Sequence, residues 1–122
     1  MQLIWVKKSD TSEWFDFLRL NLNAPYFTGK YGVYAIWYTS PVESKVIRVG
    51  QGEIGDRLRS HRSDPSIIRY GNLGQLKVTW AVLNHLNKTQ IDGIERYLAE
   101  SYNPIIGDRF PDAITLPVNL IE

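Results

Sequence analysis

Four side chains of this sequence have the types and spacing that phosphate chemistry uses. Arg57 and His61 stand four residues apart in GDRLRSHR, so a helix would place them on one stripe. Arginine offers a planar, permanently charged fork for phosphate oxygens, and histidine can relay a proton or bind phosphate. Tyr34 lies upstream in an aromatic, β-branched run, and Glu95 lies downstream in an amphipathic segment. Such a set could position a water, stabilise a phosphoryl group and hold a metal ion.

Glu95 is the most informative of these residues. The apolar stripe of its expected helix consists of Ile91, Ile94, Leu98 and Tyr102. Glu95 is on or beside that stripe, and a buried carboxylate must be paired or metal-bound. Oxygen ligation suits a single Mg²⁺ or Mn²⁺ ion, with water filling most positions. The alternative is a glutamate at the edge of the stripe that reaches solvent.

Each of the other three residues also has an ordinary structural interpretation. Tyr34 would be an aromatic side chain packed in the core, Arg57 a surface arginine, and His61 a partly exposed helix residue. A catalytic Tyr34 would need a nearby cation that favours the phenolate, because free tyrosine is too weak an acid at neutral pH.

The elements that must position these side chains follow from hydrophobic periodicity and turn residues. Residues 32–39 and 45–49 predict a β-hairpin, 53–62 a helix and 76–83 a third strand. Thr89 and Asp92 predict the cap of a helix that runs to about Tyr102. Asp10 and Glu13 have capping-box spacing, which predicts an N-terminal helix that Pro25 ends.

The fold class that results is α/β, a small and largely antiparallel three-stranded sheet flanked by helices. Residues 1–122 form a single domain. Within it, residues 1–31 are an N-terminal extension with a helix, and residues 32–122 are the core and a C-terminal tail.

Gly50, Gly52 and Gly55 fit the spacing G-x-G-x-x-G of dinucleotide-binding loops. The context argues against that function. No Asp or Glu occurs between Pro65 and Ile91 to bind ribose hydroxyls, and the preceding strand is half of a hairpin.

Four segments of the sequence, in this order, resemble the motifs of the GIY-YIG nuclease family. They are GVY (residues 32–34), RVG (48–50), RLRSH (57–61) and the glutamate of IERYLAESYNP (94–104). The resemblance covers residues 32–107. It implies the GIY-YIG fold and metal-dependent endonucleolytic cleavage of nucleic acid. It also implies that Tyr34 holds or deprotonates the water, that Arg57 and His61 are catalytic, and that Glu95 binds the metal. We therefore expect these residues and Arg48 to converge on one concave face.

Two positions depart from the family pattern. Arg48 replaces the tyrosine of the second signature, and Gly107 replaces the usual asparagine after the helix-ending proline. Asn119 is expected to take over that asparagine's role, since Asn103 can simply cap the helix. Arg48 should point to the same face as Val46 and Gly50. There it would contact phosphate or favour the Tyr34 phenolate, or else pair with Glu95 and block the metal.

The charge distribution indicates the partner. Residues 45–69 carry six Lys or Arg against three Asp or Glu, whereas the net charge of the whole chain is only +1. Lys45, Arg59, Arg62 and Arg69 are the expected contacts to backbone phosphates. DNA is favoured over RNA, and a homodimer or a target-choosing protein partner is expected. The sequence has neither cysteine nor a candidate membrane span, which favours the cytoplasm. The alternative to an endonuclease is a catalytically degenerate module that only binds nucleic acid.

Overall fold

The computed structural model of the chain describes residues 1–107 and 110–121. Its strands are β1 (Phe15–Asp16), β2 (Tyr31–Thr39), β3 (Ser44–Glu53) and β4 (Gln75–Val82). Its α-helices are α1 (Ile54–Arg62), α2 (Pro65–Ile68) and α3 (Lys88–Tyr102), and short 3-10 turns cover Pro25–Phe27 and Arg69–Asn72.

The strands form one antiparallel sheet in the order β1-β4-β2-β3, so β3 lies at an edge. The predicted α/β class and the β2–β3 hairpin are confirmed. The prediction of three strands is wrong, because β1 adds a fourth. Phe15 pairs with Val78, and Asp16 pairs with Lys77 and accepts a hydrogen bond of 2.6 Å from its ammonium group.

The two faces of the sheet bury separate cores because side chains alternate along each strand. On one face, Tyr34 and Ile36 pack with Ile54 and Leu58 of α1. On the opposite face, a second core joins the sheet to α3 through Val33, Ala35, Val49, Ile94 and Leu98. We call these two sides the α1 face and the α3 face.

The predicted N-terminal helix is absent. The segment instead forms β1 and a series of turns, and Phe17 and Leu22 are buried in the core of the α1 face. Arginines of α1 replace the missing helical hydrogen bonds. Arg62 donates to the carbonyls of Phe17 (2.5 Å) and Leu20 (2.7 Å), and Arg59 donates to that of Leu22 (2.8 Å). Backbone groups near a core need partners, and here those partners come from a distant helix.

Helix α3 begins two residues earlier than the sequence pattern indicates. Asn87, not Thr89 or Asp92, is the N-cap, and it forms a reciprocal capping box with Gln90. At the other end, Asn103 adopts the left-handed conformation with φ of 46°. These boundaries set which residues of α3 face β3.

Candidate functional site

The centre of the candidate site is a buried hydrogen bond between Tyr34 of β2 and His61 of α1. The Tyr34 Oη and His61 Nε2 atoms are 2.5 Å apart. Tyr34 is fully buried, and His61 is 5% exposed. A strand places the phenol under the helix, and the hydrogen bond keeps both polar groups satisfied within the core.

The surroundings keep both groups of this pair neutral. Burial, followed by the charges of Arg48 and Arg57, lowers the pKa of His61 to about 4. Burial also raises the pKa of Tyr34, and the opposing effects of Arg57 and Arg48 do not cancel it. Two cations do stand near the phenol as expected, but its phenolate form is not favoured. The neutral imidazole can accept the Tyr34 proton at Nε2.

A β-bulge in β3 determines where Arg48 points. Ile36 pairs with Arg48, whereas the next residue of β2, Trp37, pairs with Val46, so Ile47 is the extra residue. Arg48 therefore shares the α1 face with Gly50, as expected. Val46 packs on the α3 face, and this part of the expectation is wrong because the bulge reverses the alternation.

Two glycines of β3 provide clearance for the side chains of this site. A Cβ atom at Gly50 would overlap the Tyr34 hydroxyl. A Cβ atom at Gly52 would stand 3.0 Å from Cγ of Arg57, and Gly52 also has φ of +135°. The glycine spacing thus serves the close approach of Tyr34 and Arg57 to β3.

The two arginines of the site are not neutralised by the protein. Neither Arg48 nor Arg57 forms an ion pair with a carboxylate in residues 1–107 and 110–121. The Nε atom of each is buried and has no hydrogen-bond partner among these residues. Guanidinium groups in this condition attract an anion with several acceptor oxygens.

Glu95 reaches the same edge of the sheet from the α3 face. It is 8% exposed. Burial raises its pKa, Gln51 opposes this, and the neighbouring Asp92 raises the pKa further, so the net shift is upward. Gln51 donates a hydrogen bond of 2.7 Å to Asp92, which also pairs with the Lys88 ammonium. The α3 side of the edge is therefore a group of oxygen atoms with one lysine beside it.

We expected the site residues to converge on one concave face, and the structure places them on two faces of the sheet. Arg57 belongs to α1 and Glu95 to α3, and these helices cover opposite faces of the sheet. They can meet only around β3, the edge strand. Arg48 is close enough to lower the pKa of both Tyr34 and Glu95. No ion pair joins Arg48 to Glu95 in the part of the chain that the structure describes.

Asn119, which we expected to take over the role of the family's asparagine, is bonded to the N-terminal segment. Its Oδ1 atom accepts from the Leu3 amide at 2.5 Å, and its Nδ2 atom donates to the Leu3 carbonyl at 3.0 Å. The whole amide therefore holds the N-terminal segment. An asparagine at Gly107 would be strained, because φ there is +137° and a Cβ atom would stand 2.5 Å from the Phe110 ring.

The four basic residues expected to bind phosphates have different environments. Arg59 and Arg62 are committed to the N-terminal segment, and Arg59 also pairs with Asp56. Lys45 and Arg69 are exposed, and Arg69 lies over the Tyr70 ring. Of these four residues, Lys45 and Arg69 are the exposed ones, and Arg69 also donates a hydrogen bond of 3.2 Å to the Tyr70 hydroxyl.

Sequence reasoning missed Gln51, which contacts the acidic group from β3. The available signal was its position between Gly50 and Gly52. Side chains alternate along a strand, so Gln51 points away from the face that Gly50 and Tyr34 share. Lys88 and Asp92 were also missed. Their i, i+4 spacing indicated an ion pair, but the tertiary position next to Glu95 was not visible in the sequence.

Comparisons of this chain with protein-family models, curated proteins and solved structures find no match. Among the residues that the structure describes, no three histidine, aspartate or glutamate side chains surround a common metal position. None of the helices in these residues combines the length and apolar character that crossing a membrane requires.

Proposed function

We propose that this protein is a divergent GIY-YIG-type nuclease that hydrolyses phosphodiester bonds of nucleic acid with a divalent cation. The observation that carries the proposal is the buried Tyr34–His61 pair beside two arginines that lack carboxylate partners. A buried tyrosine and histidine are common structural features, but two half-buried guanidinium groups that lack carboxylate partners beside them are available to bind an anion. The phosphodiester group supplies that anion.

The chemistry follows from the protonation states. A water attacks phosphorus, and its proton passes to Tyr34 Oη as Tyr34 gives its own proton to His61 Nε2. Because Tyr34 is fully buried in this structure, the proposal requires that substrate binding opens its hydroxyl to that water. His61 is neutral at pH 7 because its pKa is about 4, so its Nε2 lone pair can accept the proton. The same low pKa makes it a weak base, and the negative charge of the bound phosphodiester must therefore stabilise the imidazolium. Arg48 and Arg57 stabilise the negative charge that develops on the phosphoryl oxygens. The bond to the leaving oxygen breaks as the bond to water forms.

The residues on the α3 side fit a hard cation. Glu95 contributes a nearly buried carboxylate that has a raised pKa, and Gln51 and Asp92 add oxygen atoms nearby. Mg²⁺ commonly binds through one or two carboxylates and keeps several waters. When bound there, the ion would supply positive charge to the phosphate and the leaving oxygen. Lys88 provides a positive charge in this group without a metal, so it competes with the cation.

The test is cleavage of labelled single-stranded, duplex and branched DNA with Mg²⁺ or Mn²⁺, followed by chelation. Cleavage should stop with chelator and in Glu95→Gln, while binding of DNA remains. Glu100→Gln is the matched control, because Glu100 lies on the same helix and is exposed. Salt-dependent binding without cation-dependent cleavage would favour the degenerate binding module instead.

A further inference from the structure

A groove of about 790 Å³ lies on the α3 face, beyond the end of α3 and beside the β2–β3 hairpin. Its volume is within the range of about 300–1,000 Å³ that small-molecule sites occupy. The side chains that define its character are Trp14, Trp37, Lys45, Tyr102, Asn103 and Pro104. None of them belongs to the candidate cleavage site.

The aromatic rings of the groove are held in place. The Trp14 and Trp37 rings meet edge to face with centroids 5.5 Å apart and an interplanar angle of 84°. The Tyr102 hydroxyl accepts a hydrogen bond of 2.6 Å from the Ile121 amide. Rings fixed in this way lose little conformational freedom when a flat ligand stacks on them.

The polar groups of the groove select for an anionic ligand. The Lys7 ammonium lies 4.2 Å from the centre of the Trp14 ring. The exposed Lys45 lines the groove at the edge strand, although its register partner, Tyr38, belongs to the α1 face. An aromatic ligand attached to a phosphate fits both the rings and the charge, and the Asn103 amide can bond to the edge of a base.

The groove and the proposed cleavage site share two elements. Gln51 and Lys45 both belong to β3, while Glu95 and Tyr102 both belong to α3. Seven residues of helix separate Glu95 from Tyr102, which corresponds to on the order of 10 Å. We infer that the groove takes an unpaired base of the DNA strand whose phosphate lies at the β3 edge. The inference rests on the proposed function, and it adds a preference for single-stranded or flipped-out bases.

The test uses two fluorescein-labelled probes of equal length, an oligothymidylate and a deoxyribose-phosphate chain without bases. Trp14→Leu keeps an apolar side chain but removes the stacking plane. It should weaken binding of the oligothymidylate by about tenfold and leave binding of the abasic probe unchanged. Lys45→Ala, the control for charge, should weaken both probes equally. Trp5→Phe is the control for a tryptophan outside the groove.

A second measurement does not depend on the stability of a variant. The tryptophan fluorescence of the unmodified protein should be quenched by the oligothymidylate and not by the abasic probe. Equal binding of both probes by the unmodified protein, or equal loss of both in Trp14→Leu, would overturn the inference. Base-dependent binding without any cleavage would support the groove and refute the nuclease. If the protein cleaves DNA, Trp14→Leu does not change the cleavage rate, and both probes bind equally well, then only the proposed role of the groove is refuted.

Discussion

The two sides of the β3 edge differ in charge although they flank the same strand. The α1 side presents Arg48 and Arg57 beside a neutral Tyr34–His61 pair, whereas the α3 side presents Glu95 and Asp92 around Gln51. In the proposed function, one side would bind phosphate oxygens and the other a metal cation. An edge strand allows this separation, because groups from both faces reach the same space without sharing a core.

Removing the Tyr34 hydroxyl should have the largest effect on the α1 side. Tyr34→Phe eliminates the proton transfer to His61, and general acid–base catalysis is typically worth about 10²–10⁴ in rate. Cleavage rates should fall by that amount, while Mn²⁺ affinity, measured by calorimetry, stays the same. Tyr38→Phe is the matched control, because Tyr38 lies on the same strand and face but bonds to Glu43. Equal rates for the two variants would remove Tyr34 from the chemistry.

Replacing Arg57 distinguishes the roles of the α1 side and the α3 side most clearly. Arg57→Ala should slow cleavage by about 10²–10³, since one charge-assisted contact to the transition state is lost. DNA binding should weaken as well, while Mn²⁺ affinity does not change. Glu95→Gln should show the reverse pattern, with Mn²⁺ binding lost and DNA binding retained. The exposed Arg19 provides the control variant Arg19→Ala. If Arg57→Ala altered Mn²⁺ affinity, the two sides would not be independent.

Arg48 is the residue that both sides share, so its removal should affect both. Arg48→Ala should slow cleavage by on the order of 10², because a charge beside the phosphate is lost. It should also tighten Mn²⁺ binding, because a cation near Glu95 is gone. Arg48→Tyr restores the residue typical of the family and distinguishes charge from bulk. If only the cleavage rate or only the Mn²⁺ affinity changed, Arg48 would act on one side alone.

The neutral state of His61 predicts how stability depends on pH. Its pKa is about 4 in the folded protein and about 6.5 in the unfolded chain, so protonation favours unfolding. This contribution to the free energy of unfolding is fully present above pH 6.5 and is lost as the pH falls towards 4. The loss is about 3 kcal/mol. Urea unfolding of the protein and of His61→Gln across this range should show a shallower pH slope for the variant. Parallel slopes would contradict a buried neutral histidine.

The smallest effect is expected at Lys88, on the α3 side. Its ammonium is largely exposed, so its competition with a metal is screened by water. Lys88→Met should tighten Mn²⁺ binding about two- to fivefold, with little effect on DNA binding. Lys30→Met, which lies over the Tyr26 ring, is the control. Weaker Mn²⁺ binding in Lys88→Met would show that the lysine does not compete for the acidic group.

The parts of the fold that could be predicted are those with local patterns. The alternation in β2 and β4 and the helical spacing in α1 and α3 depend on residues near in sequence. The N-terminal segment could not be predicted, because its turns are held by Arg59 and Arg62, roughly forty residues away. Its apolar spacing resembles a helix, but the tertiary hydrogen bonds favour another conformation.

The candidate site shows the same limit. The types and order of Tyr34, Arg57, His61 and Glu95 could be found in the sequence, as could the oddity of Arg48. The bulge at Ile47 could not, because it depends on pairing with β2. The contact of Asn119 could not be predicted for a related reason. An amide in a loop has no periodicity, so its partner, Leu3, is visible only in three dimensions.

The paired hydrogen bonds between Leu3 and Asn119 have a topological consequence. They join residues that are 116 positions apart in the chain, so the backbone between them forms a closed ring in space. A short peptide bridge could complete this ring covalently, and new ends could then be opened at the hairpin turn, where Val42 is 91% exposed. In such a circular permutant, β2 and β3 would become the terminal strands, while both faces of the sheet keep their cores.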